Sequence, residues 1–330
     1  MLYPWQNNQW QQIQRQRLQN RLPHALLFTG PAGTGKQCFA RALAGSLLCS
    51  HPLDDGQACG VCDACRLFDA GTHPDTRWLQ PVVPETSTSK NPVMTIRTGM
   101  IEALVNTLAA TSQFGGYRTA VIADADKMNR EAANRLLKTL EEPGADTVIV
   151  LVCSRPTSLP VTIRSRCQDI RFPLPQQQQA LQWLTTIAPD TRGETAMLRA
   201  LRLSHGAPLL AKRFLDEWSA MHDVLAKALL AAGDEVPLRY APELAQMPKA
   251  MALTWLLDWV GDVGRLLTCG TNAVLVNEEH RGKLAVRAGR ADATRLFGLF
   301  DQVCELLGND AIALNPLLMW ENLLISWGGI

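Results

Sequence analysis

Two patterns of apolar positions divide this chain. In roughly its first half, short unbroken apolar runs alternate with stretches whose apolar residues recur every three or four positions. Beyond Pro173 and Pro175 only the second pattern remains. The unbroken runs predict strands over 24–29, 119–124 and 147–152; 76–80 is strand-like, and 161–167 and 168–172 complete the first domain. Val148 to Val152 reads as a parallel strand buried on both faces. Between them, Trp10, Ile13 and Leu18 predict an N-terminal helix over about 6–21, and Phe39, Leu43 and Leu47 predict one running to about Leu48. Ile96, Met100, Ile101, Leu104, Val105 and Leu108 form a third stripe, and 129–143 reads as a helix stopped by Pro143. The polar, proline-flanked segment 84–95 predicts a mobile loop, and Gly115-Gly116 a turn. Alternating helices and strands predict an α/β domain with a parallel, doubly wound sheet.

From 176 the chain predicts helices only: a short unit over 176–207, then segments that include 211–231, 249–268, 292–307 and 316–327. Asn315-Pro316 reads as an N-cap with proline at the first helical position. Trp218, Trp255, Trp259, Trp320 and Trp327 fall in this half and predict core or subunit-interface anchors.

Composition narrows the class little. A chain of 330 residues with 47% hydrophobic and 19% charged residues is an ordinary globular protein of two or three domains. A net charge of +1 argues against coating nucleic acid by bulk electrostatics. The start, Met1 to Asn7, lacks a basic segment followed by an apolar core, and no apolar run reaches the ~20 residues of a membrane helix. The expected location is the cytoplasm.

Chemistry enters at Gly30-Pro31-Ala32-Gly33-Thr34-Gly35-Lys36-Gln37, which follows a predicted strand and opens a predicted helix. The pattern is that of a phosphate loop, G-x-x-x-x-G-K-[ST]. Gly30, Gly33 and Gly35 let backbone N–H groups close on phosphate oxygens, and Lys36 reaches the outer phosphates. The final hydroxyl, which binds Mg²⁺, is replaced by Gln37, a longer and neutral side chain poorly suited to a tight octahedral ion. Asp124 ends a later strand where phosphate-loop enzymes hold Mg²⁺. The neighbouring position, usually a water-activating glutamate, is Ala125, followed by Asp126. Alone, Asp124 would read as a solvated strand end or a helix cap.

Nine cysteines without an export signal favour thiols or a metal site. Cys49, Cys59, Cys62 and Cys65 have the spacing C-x9-C-x2-C-x2-C, which suits a tetrahedral structural Zn²⁺ with no open position for catalysis. Buried or disulfide-linked thiols are the plainer alternative. Cys38, Cys153, Cys167, Cys269 and Cys304 are scattered and predict packing. With four thiols in the shell, His73 in Gly71-Thr72-His73-Pro74-Asp75 reads as a turn residue.

Tyr3-Pro4-Trp5, the phosphate loop, the four-cysteine knuckle, the segment 71–75, Leu136 to Pro143 and Ser165-Arg166-Cys167 occur in one order over about the first half. In these the chain resembles the delta-prime subunits of the bacterial DNA polymerase III clamp loader, members of the AAA+ family. The resemblance implies an AAA+ domain over 1–166 with a zinc insertion at 49–65, a helical lid over 167–207 and a helical collar for oligomerisation over 208–330. It implies a non-hydrolysing part of a DNA polymerase holoenzyme. Its partners would be the gamma/tau ATPase subunits, the delta subunit, the sliding clamp and primer-template DNA. Gln37, Ala125 and Leu209 (where ATPase members place a sensing arginine) all depart from the ATPase pattern in one direction. Gly30, Gly33, Gly35 and Lys36 are then a vestigial or weak phosphate site that leaves ATP binding open.

Arg166 is the residue that the resemblance makes catalytic, in trans, on a neighbouring subunit's nucleotide. An ordinary surface arginine near Asp169 or Glu142 is the alternative. Lys138, Ser154 and Thr162 fall where ATPase members line the DNA backbone, and Arg164 is a weaker candidate for the Arg166 interface. Lys138 reads equally as an intrahelical partner of Glu141 or Glu142. Two other functions compete: an active ATPase of the same assembly, with Gln37 and Asp126 standing in for the lost groups, and a zinc-dependent nucleic-acid-binding protein. Asp54, Asp55 and Asp63 around the knuckle weigh against the last.

Overall fold

The computed structural model describes residues 2–83, 94–109, 111–187, 193–231, 237–308 and 314–330. Most of the predicted loop over 84–95 lies outside the described residues; at its end Thr95 forms an antiparallel bridge with Val82. The chain divides into two compact units, Met1–Ile187 with Ala207–Leu209, and Ala188–Gly206 with Leu210–Ile330.

The first unit is built on five parallel strands in the order β2-β3-β4-β1-β5. They are β1 Ala25–Thr29, β2 Thr76–Leu79, β3 Arg118–Ile122, β4 Thr147–Cys153 and β5 Gln168–Arg171. β1, β3 and β4 are buried at every residue, because helices cover both sheet faces. Alternate side chains feed separate cores. Leu26, Phe28 and Val150 pack with α1 Asn7–Leu18 and α2 Lys36–Leu48. Leu27, Ile149 and Leu151 pack with α4 Thr98–Ala109 and α5 Arg130–Glu141; α3 Asp63–Asp69 lies in the knuckle. The Asn129 side chain caps α5 by accepting from Ala132 N–H at 2.8 Å. α6 Val161–Arg164 and α7 Gln177–Ile187 complete the unit.

Two expectations need correction. Leu18 is 84% exposed: it lies eight residues beyond Trp10, about 80° off the buried face, at the last residue of α1. Ile96 precedes α4 and is extended. Its N–H donates to Lys127 O at 3.0 Å and its carbonyl accepts from Asn129 N–H at 3.1 Å. His73 is a turn residue, as expected. Its Nδ1 accepts from Asp75 N–H at 3.1 Å, and the Asp75 carboxylate accepts from Ser112, Gln113 and Phe114.

The second unit is helical. Helix Lys249–Cys269 packs on Arg281–Ala288 and Ala293–Gly308. Trp255, Trp259, Trp320 and Trp327 are buried in its core, while Trp218 is only half-buried, under the Arg213 guanidinium. The Asn315 side chain accepts from Leu317 N–H at 3.0 Å, the expected cap of Pro316–Gly328. Among the described residues, no helix is long and apolar enough to cross a membrane.

His222 is fully buried against Phe214 and Trp255. Burial, with the Arg199 charge adding to it, lowers its pKa to about 4. A histidine lowered in the folded state binds its proton first on unfolding, so stability is lost as pH falls from the ordinary value of 6.5 toward 4. At pH 5 the loss is about 2 kcal/mol. Urea unfolding at pH 7 and pH 5 should show a gap between midpoints that narrows in His222→Gln; an unchanged gap would refute this source of acid sensitivity.

Candidate functional site

The phosphate loop leaves the carboxyl end of β1, between β4 and β5, the end at which open parallel sheets bind ligands. Its glycines are required by geometry. At Gly30 a Cβ would lie 2.2 Å from the Phe172 carbonyl oxygen, and at Gly35, with φ 85°, it would enter the Tyr3 ring. Lys36 is buried and donates to the carbonyls of Gly30 and Pro31, both at 2.7 Å. Burial lowers its pKa to about 8, against the opposing charges of Cys153, Asp124 and Asp126. The structure thus brings Gly30, Gly33, Gly35 and Lys36 into one loop at the head of α2.

The metal-binding corner is differently built. Gln37 Nε2 donates to Asp124 Oδ1 at 3.2 Å. A carboxylate only accepts, so the glutamine presents its NH₂ group where a phosphate-loop hydroxyl would face Mg²⁺. Asp124 itself stands just past β3 in a left-handed conformation, φ 49°. Asp126, whose charge also reaches Lys36, accepts from Ser154 N–H and from Arg155 Nε, each at 3.4 Å. Ala125 is fully buried and Leu209 gives its backbone N–H to the Gly33 carbonyl at 3.1 Å.

A strap missed by sequence reasoning covers the loop. Trp5 Nε1 and Gln6 Nε2 both donate to the Thr34 carbonyl, at 2.9 and 3.0 Å, and Gln6 is completely buried. Tyr3 and Trp5 stack at 4.9 Å, and Trp183 of α7 meets both rings edge-on. Separations of about 30 and 180 residues leave no periodic signal; the glycine at 35 was the sole local hint that something packs there.

Cys49, Cys59, Cys62 and Cys65 converge, with all Sγ atoms within 4.8 Å of one another. Cys49–Cys62 and Cys59–Cys65 are each 3.9 Å apart, against roughly 3.8 Å for the edge of a tetrahedron with 2.3 Å metal–sulfur bonds. Cys59 N–H donates to Cys49 Sγ at 3.3 Å and Cys62 N–H to Cys59 Sγ at 3.4 Å, contacts that favour thiolates. All four are free thiols, so the disulfide alternative is not what the structure holds. The donor set fits one tetrahedral metal ion.

Arg166 lies just beyond α6. Its Nε donates to Glu141 Oε1 at 2.7 Å and a terminal nitrogen to Thr162 O at 2.9 Å. Its partner is therefore Glu141 of α5, rather than Asp169 or Glu142. Thr162 is thereby beside Arg166, whereas Lys138 is exposed on α5 and Ser154 follows β4 next to Asp126. Among the described residues Lys138 forms no ion pair, and the Glu141 expected beside it is engaged by Arg166.

A five-stranded parallel sheet with a phosphate loop, a four-thiol insertion and a helical C-terminal part defines a phosphate-loop α/β protein. A family profile described as DNA polymerase III, delta subunit, matches residues 5–176, and one described as its C-terminal part matches 216–329. The DNA polymerase III subunit delta' of Pseudomonas aeruginosa is 34% identical, over 100% of this chain and 98% of that protein. Its Escherichia coli counterpart is 32% identical, over 92% and 88%. The chain belongs to the DNA polymerase III delta-prime subunit family. Among solved structures, a gamma subunit-related protein of Thermotoga maritima aligns at 17% identity and TM-score 0.44, over 96% of this chain and 98% of that one.

Proposed function

We propose that this chain is a non-hydrolysing subunit of a cytoplasmic DNA polymerase III clamp loader. It helps load the sliding clamp onto primed DNA beside gamma/tau and delta subunits. The observation that carries the reading is the Gln37–Asp124 hydrogen bond, which joins the two positions that would hold Mg²⁺. The strap of Trp5 and Gln6 on Thr34 supports it, because the loop is held by the protein's own donors. Gly30, Gly33, Gly35 and Lys36 act as a fold element with at most weak phosphate affinity. Arg166 serves a neighbouring subunit's nucleotide, and Thr162 and exposed Lys138, with Ser154, contribute to a DNA backbone surface. The metal of the thiol cluster is structural Zn²⁺, which the four-sulfur donor set favours over harder ions.

On this reading residues 1–166 are the AAA+ domain, 167–207 the lid and 208–330 the collar. Exposed Phe297, Phe300, Leu318 and Ile325 on the last two helices, with Leu314 just ahead of the last one, suit a collar that buries apolar surface against other subunits.

The active-ATPase reading keeps one supporting observation, the complete loop around Lys36. Calorimetric titration of the isolated chain with ATP and ADP separates the two. We expect no gain in affinity from Mg²⁺ and no turnover. Any residual binding should vanish in Lys36→Ala and weaken as pH rises through about 8, where the ammonium is lost. Mg²⁺-dependent turnover abolished by Lys36→Ala would establish the ATPase reading instead.

A further inference from the structure

Two adjoining cavities in the second unit, of about 860 and 640 Å³, share Leu230 and Lys283 and form one trough. Its charge is lopsided. Lys227, Lys283 and Arg290 line it, yet the whole chain carries a net charge of only +1. Among the described residues the acids in the wall, Asp223 and Glu279, are both engaged by Arg199, at 3.0 and 2.6 Å, and Glu279 also by Arg202 at 2.8 Å. Arg287 is fixed in the wall, donating to the Trp327 carbonyl at 2.7 Å with its guanidinium over that ring. The floor at one end is aliphatic, made by Leu229, Leu230 and Val286, the last 59% exposed.

We propose that this trough is a docking site for an acidic peptide segment of another protein, with aliphatic side chains set between its carboxylates. Charge complementarity selects the acid, and the aliphatic floor takes the apolar side chains. The rings in the wall, Tyr240 and His280, already face the Arg239 guanidinium at 4.8 Å and the Trp259 ring at 5.1 Å, so together with the aliphatic floor they weigh against single-stranded nucleic acid, whose bases stack on open aromatic faces.

Fluorescence anisotropy on the full chain tests this with a fluorescein-labelled peptide of alternating aspartate and leucine. Saturable binding that weakens with salt is expected, with a roughly tenfold loss in Lys283→Glu/Arg290→Glu. Val286→Asp, a change at an exposed position, should weaken binding without moving the unfolding midpoint. The proposal is overturned by any of four results: no saturable binding, equal binding of the lysine–leucine version, affinity unchanged by both variants, or tighter, equally sensitive binding of an oligothymidylate.

Discussion

Arg166→Ala should lower ATP hydrolysis at the neighbouring subunit's site by on the order of 10³, with the assembled complex intact on gel filtration. The size follows from what a guanidinium supplied in trans does: it stabilises charge on the transferring phosphoryl group in a site where little else can. In the isolated chain the arginine is held by Glu141 and the Thr162 carbonyl. Glu141 is about half exposed, and exposed ion pairs contribute at most ~1 kcal/mol. A 10³ rate effect corresponds to about 4 kcal/mol of transition-state stabilisation. Releasing Arg166 from Glu141 therefore costs far less than the arginine can return across the subunit boundary.

The same comparison gives the control. If the Arg166–Glu141 pair only braced α5 against α6, removing either partner would have the same consequence. A finger makes the two variants diverge. Glu141→Ala should leave hydrolysis at or above the wild-type rate, since it frees the arginine, while Arg166→Ala abolishes it at that site. Single-turnover ATP hydrolysis by the reconstituted complex, with each variant in turn, reads the difference. Equal losses in both variants, or an unchanged rate with Arg166→Ala, would sink the finger.

The three central strands were legible because they are buried on both faces, and such strands need unbroken apolar runs such as 148–152; edge strands β2 and β5 are partly exposed and carry no such run. The thiol cluster was legible because its ligand spacing is local, and the structure gathers those four sulfurs. The partners of the site residues were not legible. Glu141 and Arg166 are 25 residues apart, Gln37 and Asp124 are 87 apart, and neither pair sits in a repeating pattern. Ile96 was misplaced for a related reason. Its hydrophobic position fits the α4 stripe equally well whether the backbone is helical or, as observed, extended beside Met128. Periodicity reports that a residue is buried; it does not say which backbone buries it.

Removing the metal should have the largest effect on stability. Structural Zn²⁺ in small domains binds with about 10–16 kcal/mol of apparent free energy at neutral pH, much of it folding free energy. The knuckle has few apolar anchors of its own, chiefly Phe68 against Gly45 and the half-covered guanidinium of Arg41. It is tied to the rest by Trp10 Nε1 on the Asp55 carbonyl at 2.8 Å and by Ser46 Oγ on the Gly56 carbonyl. Without the ion, burial keeps Cys65 a neutral thiol, its pKa pushed up to about 12, and no bond holds the four sulfurs together, so the segment from Cys49 to Asp69 should open while the sheet, with its own two cores, stays folded. Cys59→Ser/Cys62→Ser, or exhaustive chelation, should therefore lower the first unit's stability by several kcal/mol rather than the full binding energy. Elemental analysis should find one zinc per chain. Hydrogen exchange should rise over 49–69 and spread to α2 through Phe68, with the Trp10 emission shifting as its hydrogen bond is lost. A chain that purifies without metal and whose exchange and melting are indifferent to those substitutions would leave the four cysteines as packing residues.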